Sequence, residues 1–402
     1  MSLVTRHLSQ NLMDPKYFKR NWNYPTSVRF GIGRIDELPA VCKELGMKRP
    51  LLVTDPGLRP MRMIESALAS LRAAGLGDAV FSDIRANPIG KNVEDGVAFY
   101  KGKQCDGVIA FGGGSALDVG KTIALMVGQS RPLWDFEDRD DWYTRVNVAG
   151  MAQTIAVPTT AGTGSEVGRA SVILDDATHI KKIIFHPKMQ PAVVISDPVL
   201  CAGLPPRLTA ATGMDAFAHC LEAYCAPGYH PLADGIAVEG IRLVKEWLPI
   251  ATKHGGNLES RAHMLAAASM GATAFQKGLG AIHSLSHPVG AVYNSHHGET
   301  NGVVMPYVLV FNRPAIEERI TRLARYLNLP NPGFQSFLDW VLELRKDLGI
   351  PHTLADLGVK ESDLDMLTPM AVADPSTGGN PRPVSPEDMR QLFVKAIKGE
   401  VQ

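Results

Sequence analysis

Thiols are scarce in this chain. Its 402 residues hold five cysteines, Cys42, Cys105, Cys201, Cys220 and Cys225, an odd number with no CxxC pair. That excludes a zinc ribbon and fits scattered thiols in a reducing compartment. An excess charge of either sign is also missing: Lys plus Arg and Asp plus Glu total 41 each, for a formal net charge of zero. Without a basic stripe, neither nucleic acid nor an anionic membrane is expected as the main partner. No window reaches the roughly 18 apolar residues of a membrane span. The N-terminal MSLVTRHLSQNLMDPKYFKR lacks the apolar run of a signal peptide, so the expectation is a cytoplasmic protein.

What is present is an ordinary globular composition, 45% hydrophobic and 20% charged, on a chain longer than one core usually serves. Two domains are therefore expected. Strand character at 27–32, 49–55, 79–83 and 106–111 alternates with helical spacing. QTIAVPTTAGTGSE then repeats the scheme, as a strand to Pro158 followed by a loop of hydroxyl and Gly residues. SVILDD and IKKIIF, separated by ATH, predict a hairpin, and PAVVISD at 191–197 the last strand. Such alternation predicts a Rossmann-like parallel sheet with helices on both faces and ligands at the carboxyl ends of its strands. Past Pro198 the strand signal fades and helices are expected at 231–250, 258–277, 281–294, 314–327, 333–348 and 386–398. The expectation is an α/β dinucleotide-binding domain over 1–198 and an all-helical metal-binding domain over 199–402. The acidic WDFEDRDDW at 134–142 has no periodicity and reads as a solvated insertion.

Gly112, Gly113 and Gly114 follow an apolar strand and precede SALDVGKTIALM. Glycines let the main chain approach a phosphate, and a helix N-terminus supplies free N–H groups. A ligand-free glycine turn would share this local pattern. It is not GxGxxG, which would need Gly at Leu117, and not a P-loop, whose leading Gly would have to stand at Ser115. Thr159, Thr160, Thr163 and Ser165 can donate to phosphate or ribose oxygens, or merely cap turns. Asp55, ending LLVTD, can accept from a ribose 2′-hydroxyl and would repel a 2′-phosphate, which favours NAD over NADP, or it merely starts the turn before Pro56-Gly57.

Asp215 and His219 are four apart, as are His283 and His287, and His297 follows. Residues i and i+4 share a helix face, so each pair can reach one ion. A lone His on an apolar helix is usually a satisfied core residue. Five polar groups among Ala, Leu, Met and Gly, however, would be costly to bury without a partner. Imidazoles and a carboxylate without thiolate suit Fe(II), Zn(II), Mn(II) or Ni(II), and ligand type does not choose among these. The remaining histidines, at 7, 179, 186, 230, 254, 263, 296 and 352, lack such company.

Taken together, GGGSALDVGK, PTTAGTGSE, GMDAFAHCLEAY, HSLSHPVG, HHGETNGVVMP and ADPSTGGNPRP resemble the iron-containing (group III) alcohol dehydrogenase family over nearly the whole chain. The resemblance implies a dehydroquinate synthase-like two-part fold, and Asp215, His219, His283 and His297 as ligands of Fe(II), with Zn(II) as an alternative. His297 is preferred to His296 because the family motif has Gly directly after the ligand. His287 is implied to stand unligated beside the metal, where it is the candidate to carry a proton to solvent. Gly112 to Ser115, Asp118, Thr159, Thr160, Thr163 and Lys181 are placed near NAD. The implied activity is reversible hydride transfer between an alcohol and NAD by at least a dimer. Alternatives are a hydroxyacid dehydrogenase, a hydroxyacid-oxoacid transhydrogenase and a dehydroquinate-synthase-type lyase. The retained ligands argue against maleylacetate reductase, and the misplaced Gly against a P-loop-like kinase.

Overall fold

Short apolar runs ending in Gly, Asp or Pro become strands, as period and composition dictate. The computed structural model describes residues 20–22, 25–178 and 180–401. The strands are β1 (Arg20–Trp22), β2 (Ser27–Phe30), β3 (Pro50–Val53), β4 (Ala79–Phe81), β5 (Gly107–Gly112), β6 (Thr154–Pro158), β7 (Ala170–Asp175), β8 (Ile180–Phe185) and β9 (Val193–Ser196). One sheet runs β1-β2-β9-β6-β5-β3-β4. Every neighbouring pair is parallel except the antiparallel β1–β2 edge. Residues of β3, β5, β6 and β9 are buried throughout, because helices cover both faces of a parallel sheet. β7 and β8 form the expected antiparallel hairpin, with Leu174 opposite Lys181. β1 falls in the polar arm that sequence periodicity left unassigned.

Helices α1 (Leu38–Glu44) and α2 (Arg62–Ala73) cover one sheet face through Leu38, Val41, Ile64 and Leu68, which pack on Leu52, Ile109 and Ile155. On the other face, α3 (Gly90–Gly102), α4 (Gly114–Met126) and the hairpin cover Leu51, Val53 and Val108. On that face too, the small Ala110 and Ala156 join Val28, Phe30 and Val194 in the core of the helical half. The halves therefore share one hydrophobic cluster.

The helical half comprises α5 (Pro206–Cys225), α6 (Pro231–Lys253), α7 (Leu258–Ala274), α8 (Ala281–Tyr293), α9 (His297–Tyr326), α10 (Phe334–Asp347), α11 (Leu364–Val372) and α12 (Pro386–Lys398). Every residue of α5 from Thr209 to Cys225 is buried, which makes it the axis of the half. Among the described residues, no helix is long and apolar enough to cross a membrane.

Two expectations need correction. The helix expected at 314–327 is the second half of α9, which begins at His297 and contains Pro306 and Pro314. Proline inside a helix costs about 3 kcal/mol. Here the burial of Val303, Val304, Met305, Tyr307 and Val308 offsets that cost. The 134–142 stretch is solvated only in part: Asp138 to Asp141 are exposed, but Phe136 and the preceding Leu133 are buried, and the Asp138 N–H donates to the Ile183 carbonyl at 2.8 Å. Isolated apolar anchors have no period, so pattern reading misses them.

Candidate metal centre

Four side chains converge from three helices. α5 presents Asp215 and His219 on one face, α8 presents His283, and the first turn of α9 presents His297. Ligand atoms of Asp215, His219 and His283 all lie within 4.8 Å of one another, and all three residues are buried. Asp215 Oδ1 stands 3.7 Å from His219 Nε2, 3.9 Å from His283 Nε2 and 3.4 Å from His297 Nε2. These gaps are long for hydrogen bonds. They match ligands sharing an ion, since two donors about 2.1 Å from a tetrahedral centre stand about 3.4 Å apart.

Asn301, one turn into α9, supports the same reading. Its amide Nδ2 donates to Asp215 Oδ1 at 2.8 Å and lies 3.3 Å from His297 Nε2 and 3.5 Å from His283 Nε2. Several lone pairs thus converge on one donor, while the buried Asn301 Oδ1 has no hydrogen-bond partner among the described residues. Such crowding of acceptors suits a cation. Close approach of α9 to α5 depends on Gly298, because a Cβ there would stand 2.1 Å from the Ala211 carbonyl oxygen and 2.9 Å from Asp215 Cβ.

Local groups set the charge of each imidazole. Glu222, one turn beyond His219, accepts from His283 Nδ1 at 2.5 Å and from the Ile282 N–H at 2.7 Å. Burial opposes charge on His283, but Glu222 outweighs it and holds the pKa above the ordinary value. Its Nε2 is thereby turned toward Asp215. Burial pushes His219 down to about 4. Burial, followed by the charges of His283, His287, Lys181 and His219, pushes His297 well below its usual range. His219 and His297, kept neutral, carry the lone pairs that a metal requires, whereas His283 would have to release its Nε2 proton on binding one.

His287 stands beside this group, with its ring stacked on His297 at 5.2 Å between centroids. Its Nδ1 bonds Asp374 Oδ2 at 2.7 Å. Burial would raise the Asp374 carboxyl, yet the charge and hydrogen bond of His287 hold it below the usual range. Phe275 packs edge-on against His219 at 5.0 Å.

The two glycine- and hydroxyl-rich loops lie side by side at the carboxyl ends of β5 and β6. The Thr159 N–H donates to the Gly112 carbonyl at 3.0 Å. Gly112 has φ +156°, and a Cβ there would stand 2.7 Å from Ala116 Cβ and 3.4 Å from Asp55 Oδ2. Thr160 and Thr163 lie against Gly113 and Gly114, where α4 begins. Asp55 accepts from the Leu58 N–H at 2.9 Å, and Ser115 Oγ donates to the Ala86 carbonyl at 2.5 Å. Asp118 is engaged within the protein, accepting from Ser165 Oγ at 2.5 Å and from the Val172 N–H at 2.9 Å. Lys181 extends from β8 toward Gly290 of α8, with its Nζ 3.3 Å from where a Gly290 Cβ would stand. Burial holds that amine below its ordinary pKa against the charges of Asp374, Asp215 and Asp118.

All five sequence-derived groups of the helical half therefore meet. Glu222, Asn301 and Asp374 were missed. Glu222 continues the Asp215–His219 face by one turn, a signal that was available, whereas Asp374 stands in the quoted ADPSTGGNPRP motif but, 87 residues from His287, no local spacing ties the two together. Lys121 of the near-P-loop is buried and donates to the Ala170 carbonyl, so it is not a phosphate-facing lysine.

Comparison with known proteins agrees with this geometry. The family model described as "Iron-containing alcohol dehydrogenase" matches residues 25–198, and "Fe-containing alcohol dehydrogenase family, C-terminal" matches 209–397. The chain is 38% identical to a 4-hydroxybutyrate dehydrogenase of Cupriavidus necator, over 93% of this chain and 99% of that one. It is 35% identical to an NAD-dependent methanol dehydrogenase of Bacillus methanolicus, over 94% and 100%. A crystal structure of a 1,3-propanediol oxidoreductase superimposes with a TM-score of 0.87 at 35% identity, covering 91% of this chain and 97% of that one.

Proposed function

This chain belongs to the iron-containing alcohol dehydrogenase family, and from that premise we propose that it moves a hydride reversibly between an alcohol and NAD. The observation that carries the proposal is the convergence of three imidazole Nε2 atoms on Asp215 Oδ1, next to a fourth imidazole held by Asp374.

In this reading Asp215, His219, His283 and His297 hold Fe(II), with Zn(II) the alternative for the same donors. A divalent ion there supplies Lewis-acid polarisation of an alcohol or carbonyl oxygen. Glu222 orients His283, and the Asn301 amide sits beside Asp215 and His297. His287 holds its Nδ1 proton on Asp374, which leaves Nε2 to accept the alcohol proton and pass it outward, while the carboxylate stabilises the imidazolium that forms. Phe275 shields the His219 side from water. On the cofactor side, the N–H groups from Gly113 to Ser115 would hold the pyrophosphate, and Thr159, Thr160, Thr163 and Ser165 would line its loop. Asp55 would receive the adenosine ribose hydroxyls, and Lys181 would stand at the nicotinamide end, with Asp118 holding the loop beside it through Ser165 and Val172. A cytoplasmic homo-oligomer, at least a dimer, belongs to the same proposal.

A second reading, oxidation of a hydroxy acid, is favoured by Lys181. It is a largely buried amine with no carboxylate within ion-pair distance among the described residues, and a substrate carboxylate would pair with its charged form. The 4-hydroxybutyrate dehydrogenase relative points the same way.

Alcohols, diols and 4-hydroxy acids assayed for NADH formation, on protein loaded in turn with Fe(II), Zn(II) and Mn(II), separate these readings. Absence of net NADH with every donor would favour the lyase alternative. His283→Ala should lose metal and turnover while retaining NADH binding, and full turnover by that metal-free variant would sink the proposal.

A further inference from the structure

Lys121 is the motif residue that the proposed function leaves without a task. It stands two turns into α4, and its side chain has no solvent exposure. Burying an ammonium is costly unless its donors are used. Here Nζ donates to the Ala170 carbonyl, the first residue of β7, and lies 3.4 Å from Asp118 Oδ1. A Cβ at Gly168 would stand 3.6 Å from Nζ, and the buried Glu166 carboxylate also acts on this ammonium through its charge.

Asp118, one turn earlier on α4, holds the same segment at two other points, the Ser165 hydroxyl and the Val172 N–H. Buried Glu166 extends the linkage by accepting from Ser269 of α7 at 2.7 Å. Helix α4 therefore grips the base of the hairpin at Ser165, Ala170 and Val172, while its own first turn forms the Gly113–Ser115 end of the cofactor loop. Hairpin register then propagates the grip, since Val172 pairs with Ile183 and Leu174 with Lys181. Lys181 in turn faces Gly290 on α8, the helix that carries His283 and His287.

We propose that Lys121 is a positioning residue that fixes the β7–β8 hairpin to the cofactor helix, so that Lys181 is held at the distance from α8 that a bound nicotinamide nucleotide requires. The inference rests on the cofactor reading above. Only a long side chain ending in several donors can both span from α4 to the Ala170 carbonyl and meet Asp118.

The test is a cycle of Lys121→Met, which keeps shape but removes the donors, with Lys181→Ala, on metal-loaded full-length enzyme. Loss of a hydrogen bond to a charged group should raise the KM for NAD about tenfold in Lys121→Met. If Lys121 acts through Lys181, the same change in the Lys181→Ala background should cost less than about twofold. An equal rise in both backgrounds would overturn the proposal, as would a Lys121→Met enzyme that melts lower yet keeps kcat and KM per folded molecule. Should Lys121→Met not fold, Lys121→Arg keeps the charge and alters the reach. A KM rise confined to the Lys181-containing background supports the proposal, and equal rises overturn it. NADH binding by the wild type, read by fluorescence, separates the two levels. Wild type that binds NADH with additive variants removes only the role of Lys121, whereas wild type that binds none removes the cofactor reading and this inference with it.

Discussion

Asp55, two residues beyond the end of β3, has one carboxylate oxygen on the Leu58 N–H and the other beside Gly112, at the head of the glycine loop. A fixed negative charge there repels a 2′-phosphate. Asp55→Ser is expected to improve use of NADP relative to NAD, measured as the ratio of the two kcat/KM values, and an unchanged ratio would remove Asp55 from the cofactor site. A second residue links stability to acidity. His263 stacks on Trp247 at 4.2 Å, and burial, followed by the charge of Arg242, pushes it down to about 4. Because the folded value lies below the unfolded one near 6.5, the fold favours the neutral ring. Its contribution is whole above about pH 6.5 and is lost as pH falls toward 4. His263→Phe should therefore lose less Tm than wild type between about pH 7.5 and about pH 5, and equal losses would show that His263 is not a source of the acid sensitivity.

At the scale of the element, the proposed metal ligands depend on how closely α9 approaches α5. Gly298 leaves no room for a side chain against Ala211 and Asp215, both on a buried helix that cannot move aside cheaply. Gly298→Ala should cost about 1–3 kcal/mol of stability. Because it displaces His297 and Asn301 together, it should also lower bound metal per chain, measured by elemental analysis. A variant that melts lower but keeps a full complement of metal would separate helix packing from ligand placement. The hairpin is the second element that carries consequence. Its strands were readable from alternation around ATH, but its attachment to α4 through Asp118 and Lys121 was not, since those side chains meet partners 47 to 54 residues away.

For the molecule as a whole, metal binding and folding are linked. The four proposed ligands, drawn from α5, α8 and α9, come together only in the native chain, so an ion held by them would add native stability by mass action, about 2.7 kcal/mol at a hundredfold excess over Kd. Chelator-treated protein should melt below the loaded form and recover on adding Fe(II) or Zn(II), and His283→Ala should show no such response in Tm. Much of this organisation was legible in the sequence. Alternating strands and helices, the hairpin and the late helices follow from local periodicity, and so does the pairing of Asp215 with His219 and of His283 with His287 on common faces. Less was legible where the signal is not periodic. The prolines concealed the first half of α9, Leu133 and Phe136 anchored a stretch that reads as solvated, and Asp374 gave no hint of His287. By itself, then, the sequence determined which residue types share a face, because a helix returns to that face every three or four residues. Only the tertiary structure decided which tips meet and which imidazole bonds Asp374 instead. That depends on the approach of α5, α8 and α9, through Gly298 on Ala211 and Glu222 on His283, contacts between residues 61 or more positions apart that no local period encodes.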